Sequence, residues 1–82
     1  MSLCIVSAKY VAPLSIELHF SDGVVRIIDV GSFIRKHPHQ QYNSYLNEKK
    51  FKQFKLEMGN VVWGKNWDLV FPIDLLYKGS CE

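Results

Sequence analysis

Leu14, Ile16, Leu18 and Phe20 alternate with Ser15, Glu17 and His19. A period of two marks a strand with one buried face. Ser21-Asp22-Gly23 follows, and Asp-Gly supplies the positive φ of a tight hairpin. Val24 to Val30 is β-branched enough to be the returning strand. Upstream, Leu3 to Ala8 is a short apolar run that reads as a further strand. Pro13 cannot donate to a ladder, which places a turn or a sheet edge there.

The middle of the chain changes period. Asp29 and Ser32 are both able to cap a short helix over Gly31 to Lys36, and His37-Pro38 ends it, since the residue before a proline resists helical dihedrals. Tyr42, Tyr45 and Leu46 have the spacing of one or two helical turns, and Glu48 to Phe51 makes another. Phe54, Leu56 and Met58 then alternate with Lys55 and Glu57. Gly59-Asn60 is a hairpin signal, with Val61-Val62-Trp63 as the second arm. Gly64-Lys65-Asn66 is a turn in which Asn66 is suited to left-handed φ. Asp68 to Phe71 is extended, and Pro72 opens a last helix running to Tyr77. The expectation is an α+β fold: a small, mostly antiparallel sheet of about five strands from two hairpins, with two or three short helices.

Composition narrows the class. The 82 residues are enough for a single domain, 1–82. Hydrophobic residues make up 48% and charged residues 22%, which is ordinary for a globular chain and excludes disorder. No apolar run approaches a membrane span, and no basic n-region precedes an apolar run, so a cytoplasmic setting is expected. Two cysteines, Cys4 and Cys81, form no Cys-x-x-Cys pair and read as free thiols. The net charge is only +2, yet it is unevenly spread. Between Gly31 and Met58, Arg35, Lys36, Lys49, Lys50, Lys52 and Lys55 face only Glu48 and Glu57, a local +4 that leaves −2 for the rest.

Several residues invite chemistry. His37-Pro38-His39 puts two imidazoles on one extended segment, but zinc needs three or four ligands and none is nearby in sequence, so no metal or other cofactor is expected. There is no nucleophile elbow, phosphate loop or His-Glu-x-x-His, and the chain reads as a non-enzyme. A carboxylate site around Asp29, Asp68 and Tyr77 is a third class, and it requires a concave pocket. Asp29 is preferred as a helix cap rather than a partner for Arg26, because residues three apart on a strand face opposite sides. Lys49, Lys50, Lys52 and Lys55 interleave with Phe51 and Phe54, a pattern that grips single strands when the rings are exposed and is a solvated face when they are core. Trp67 lies in a turn beside Asn66 and Asp68. It is either an interface anchor or a ring folded back over the sheet edge.

An aromatic residue followed by Asp22-Gly23, then Arg26 and Asp29, resembles the first half of a small bacterial family, the one catalogued as domain of unknown function 2442. Gly59 through Trp63, Asp68-Leu69, Pro72 and Leu76-Tyr77 resemble its ending, so the similarity covers nearly the whole chain. The resemblance implies an α+β domain of bacterial or phage origin with no established activity, in a genetic setting similar to that of toxin–antitoxin partners. The family pattern has a glycine near the position of Asn66, and Trp67 is large for its place.

The functional expectation is a non-enzymatic protein-interaction module, binding stoichiometrically through Trp67, Asn66 and Asp68 and the Lys49, Lys50, Lys52 and Lys55 face. One member of a toxin–antitoxin-like or regulatory pair fits that description. The alternative is a weak single-stranded nucleic-acid binder through the same lysines. Open sheet edges also allow a homodimer by edge-strand pairing.

Overall fold

The computed structural model describes residues 3–80. Its architecture is α+β, with two antiparallel three-stranded sheets in place of the single sheet of about five strands expected. The first sheet has the order β1 (Ile5–Val11), β2 (Ser15–Phe20), β3 (Val25–Asp29). Four short helices are present among the described residues: α1 (Val30–Lys36), α2 (Gln40–Asn43), α3 (Glu48–Phe51) and α4 (Ile73–Tyr77). A 3₁₀ turn, Ser44–Leu46, separates α2 from α3. The second sheet has the order β4 (Lys55–Glu57), β5 (Asn60–Trp63), β6 (Leu69–Val70).

The alternating strand is β2, and Ile16, Leu18 and Phe20 are buried as its period demands. Pro13 sits in the tight turn from β1 into β2, where Val11 pairs with Ser15. The Asp22-Gly23 loop closes β2 onto β3, with the Phe20 N–H bonded to the Val24 carbonyl at 2.9 Å and Gly23 at φ 92°. The Asp22 carboxylate accepts the Val24 N–H at 3.0 Å. Asp29 caps α1, accepting the Ser32 N–H at 3.1 Å and the Ser32 hydroxyl at 2.7 Å. These bonds satisfy an otherwise orphan helix donor and hold the carboxyl below its ordinary pKa.

The second hairpin is displaced by one residue from the expected position. Its central residues are Met58 and Gly59, at φ 52° and 80°, and Glu57 pairs with Asn60. Asn60 is drawn into the strand because its amide donates to the Phe71 carbonyl at 3.1 Å and its carbonyl oxygen accepts the Val61 N–H at 2.8 Å. Gly59 lies so close to β1 that a Cβ there would meet the Cys4 Cβ at 2.7 Å, and its carbonyl accepts the Ile5 N–H at 2.8 Å. That bond joins the two sheets end to end. The shift also overturns the inward alternation of Phe54, Leu56 and Met58: Met58, at the turn tip, is 94% exposed.

One continuous core spans both sheets. It runs from Ile16, Leu18 and Ile28 through Val30 and Ile34 of α1 to Phe51, Val61, Trp63 and Phe71. Trp63 is fully buried, and its indole N–H donates to the Phe51 carbonyl at 2.8 Å. Its ring meets those of Phe51, Phe54 and Phe71 at 5.4, 5.9 and 6.2 Å. Pro72 stands immediately before α4 as its N-cap, one residue earlier than the helix itself.

At the far end, three residues of the sequence motif converge. The Tyr77 hydroxyl donates to Asp22 at 2.5 Å, and the Arg26 Nε donates to the Tyr77 carbonyl at 2.8 Å. The Arg26 guanidinium lies 5.8 Å from the centre of the Tyr77 ring, which packs edge-on against Phe20 at 5.1 Å. Asp22, Arg26 and Tyr77 thus clasp α4 onto the first sheet. Cys81 lies outside the described residues.

Two outcomes follow. Trp63→Phe leaves the buried Phe51 carbonyl without its donor and opens a void, so urea unfolding should show a loss of about 2–4 kcal/mol. Tyr77→Phe removes the bond that does most to hold the Asp22 pKa below 3.8, ahead of the Val24 N–H. A depressed carboxyl pKa stabilises the fold above the unfolded value and loses that effect as pH falls through the folded one. The Tyr77→Phe variant should therefore melt below the wild type at neutral pH, and the gap should close in acid.

Candidate functional site

The segment Ser44 to Phe51 is short and polar, and it folds by local caps. The Asn47 side chain accepts the Lys49 and Lys50 N–H groups at 3.0 and 3.3 Å, which starts α3. Phe51 then points inward, and the bond from Trp63 to its carbonyl pins the end of α3 against β5. Lys50 and Gln53 are thereby left facing the loop that follows β5.

An open cleft of about 510 Å³ lies between them. Lys50 and Gln53 form one wall, Lys55 of β4 another, and Lys65, Asn66 and Asp68 the third. Tyr45 and Gly64 complete it, with Tyr45 almost fully buried. Gly64 has φ 85°, and a Cβ there would sit 2.5 Å from the Asp68 carboxylate and 2.9 Å from the Tyr45 hydroxyl, so only glycine permits this packing. Burial first, then the charge and hydrogen bond of Asp68, raise the Tyr45 pKa above 10.0.

The lysines differ in how they are neutralised. Lys52 pairs with Glu48 at 2.9 Å and lies 4.8 Å over the Tyr10 ring, away from the cleft lining. Lys55 pairs with Glu57 at 3.0 Å. Lys50 lies 5.5 Å over the Tyr45 ring, and among the described residues neither it nor Lys65 has a carboxylate partner. Lys49 is exposed and does not line the cleft.

Trp67, not Asn66, takes the left-handed conformation in this loop, at φ 54°. The bend throws the indole back across the outer face of the second sheet, where its N–H donates to Glu57. Lys55 and Glu57 share that face with Val62, which is fully buried yet stands apart from the main core. The ring is thus folded back over the sheet, and it remains 40% exposed. The bond to Glu57 works against a left-handed bend that costs about 1–2 kcal/mol. Lys55 first and Trp67 second hold the Glu57 pKa below its ordinary value.

The structure therefore brings Asn66, Asp68, Lys50 and Lys55 to one cleft, sets Trp67 at its border through Glu57 and Lys55, and leaves Lys49 and Lys52 outside. Lys65, Gln53 and Tyr45 belong to the site and were not singled out from sequence. Lys65 lies outside the dense lysine run, and only folding brings it near. Asp29, Asp68 and Tyr77 are not gathered: Asp29 lines a separate cleft of about 260 Å³, and Tyr77 lines neither. The imidazole of His39 caps α2 by accepting the Gln41 N–H at 3.1 Å, and His37 stacks on Phe33 at 4.8 Å. Among the described residues no three His, Cys, Asp or Glu side chains are grouped to hold a metal, and no helix is long and apolar enough to cross a membrane.

Comparison with protein-family models, curated proteins and solved structures finds no match for this chain.

Asp68→Asn removes a charge that raises the Tyr45 pKa but not the burial that raises it more. Alkaline titration followed by tyrosinate absorbance should show the Tyr45 transition moving down while staying above 10.0. An unchanged transition would show that Asp68 does not act on the phenol.

Proposed function

We propose that this chain is a non-enzymatic binding module of a bacterial cytoplasm that engages a protein partner stoichiometrically through the cleft and the Trp67 loop. The observation that carries this reading is the convergence of α3, β4 and the loop after β5 on one open, net-positive cleft bordered by a half-exposed tryptophan. A large aromatic beside a polar rim is the usual anatomy of a protein interface. Charge on the rim speeds encounter with an oppositely charged partner. The resemblance to domain of unknown function 2442 fits a partner-dependent role.

The nucleic-acid alternative draws on the same lysines, but the rings it needs are spent. Phe51 is fully buried, and Phe54 is half-buried against Trp63. Phe51 offers no face for base stacking, and Phe54 offers only part of one.

The test is a tagged pull-down from the source cell, nuclease-treated and read by mass spectrometry. One protein should be recovered in stoichiometric amount. Trp67→Ala should reduce its recovery severalfold, while Lys52→Ala should leave it unchanged. Equal recovery with Trp67→Ala, or recovery of nucleic acid alone when nuclease is omitted, would overturn the reading.

A further inference from the structure

The cleft is electrostatically unfinished. Lys50, Lys55 and Lys65 line it against a single acid, Asp68, which packs beside Gly64 together with the Tyr45 hydroxyl. On the same stretch Lys52 is paired with Glu48 and lies outside the cleft. Two of the three cleft lysines have no carboxylate partner among the described residues, and the third shares its partner with the Trp67 indole. Like charges held around one concave site repel one another, and an anion placed between them relieves that repulsion.

The neutral lining narrows the ligand. The Gln53 and Asn66 side-chain amides carry both donors and acceptors, which suit a peptide backbone as well as a carboxylate. The rings interleaved with the lysines are turned to the core, Phe51 fully and Phe54 partly, so the exposed ring at the border is that of Trp67. At about 510 Å³, the cleft has the volume of a site that takes a few side chains.

We propose that the Lys50–Lys55–Lys65 cleft holds an acidic peptide segment of the partner, its side-chain carboxylates completing the ion pairs that the fold leaves open. This rests on the reading of the chain as a protein-binding module. A carboxylate on Lys55 competes with Glu57, whose other oxygen accepts the Trp67 N–H, so binding changes the charge beside that indole. Trp67 then reports occupancy, since the other tryptophan, Trp63, is fully buried.

The experiment titrates the intact chain with a dye-labelled peptide rich in glutamate, at low salt, by anisotropy and by tryptophan fluorescence. Saturable binding with a change in tryptophan emission is expected. The double variant Lys50→Glu, Lys65→Glu should weaken binding at least about tenfold, and Lys50→Gln, Lys65→Gln by a smaller factor. Lys49→Glu, a charge change outside the cleft, should alter it less than about twofold. Circular dichroism confirms that the variants fold.

Absence of peptide binding would overturn the proposal, as would equal weakening by Lys49→Glu. So would tighter binding of a single-stranded oligonucleotide or of inorganic phosphate. Should the pull-down recover a protein partner that the cleft variants release no faster than wild type, the acidic-peptide inference fails while the module reading stands.

Discussion

The bond from the Trp63 indole to the Phe51 carbonyl fixes the distance between the two halves of this protein that matter for its surface. Trp63 is buried at the centre of the second sheet, and Phe51 ends a helix of four residues. So short a helix has little stability of its own, because nucleation is costly and few bonds repay it. It holds its place because its last carbonyl and its one apolar side chain are both committed to Trp63. With α3 docked in this way, Lys50 and Gln53 face the loop that carries Lys65 and Asn66.

The clasp at the opposite end works on the same principle. α4 has five residues and depends on neighbours to stay folded. Asp22, Arg26 and Tyr77 supply polar contacts, while Phe20 and Leu76 are buried in the core below. A domain of this size buries only about 60% of its unfolded surface, so short elements tied by specific bonds are a sensible way to hold the periphery. The residues of the sequence motif are therefore mainly those that hold the fold together. Asp22, Gly23, Arg26, Asp29, Trp63, Pro72 and Tyr77 make a turn, two caps, a core ring and the clasp.

The candidate site is built from what the fold does not need. Lysines on its walls add nothing to the core, and holding three of them around one cleft works against stability through mutual repulsion. Trp67 is similar: its left-handed backbone is unfavourable for a bulky residue, and a smaller side chain would meet the turn more easily. Cleft and indole are linked through Lys55 and Glu57, so that charge at one is felt at the other.

Much of this was legible in the chain itself, for reasons that are local. The alternation around Ile16 and Leu18, the Asp22-Gly23 turn, the Asp29 cap and the helix stop at His37-Pro38 each depend on a few adjacent residues, and each stands where expected. The failures were also local in kind but tertiary in cause. The second turn moved from Gly59-Asn60 to Met58-Gly59 because Asn60 is claimed by Phe71, eleven positions along, and Gly59 by Cys4 and Ile5 of the first sheet. Trp67 took the left-handed bend that Asn66 was suited to, and its indole reaches Glu57 across the second sheet. Composition already disclosed a lysine-rich stretch, but not which lysines share a site. Lys65 joins Lys50 and Lys55, and Lys49 and Lys52 turn away, because membership is set by how α3 docks on Trp63, a contact between residues distant in sequence. Periodicity and turn chemistry thus determined the elements, while the packing of one buried ring decided which charges meet.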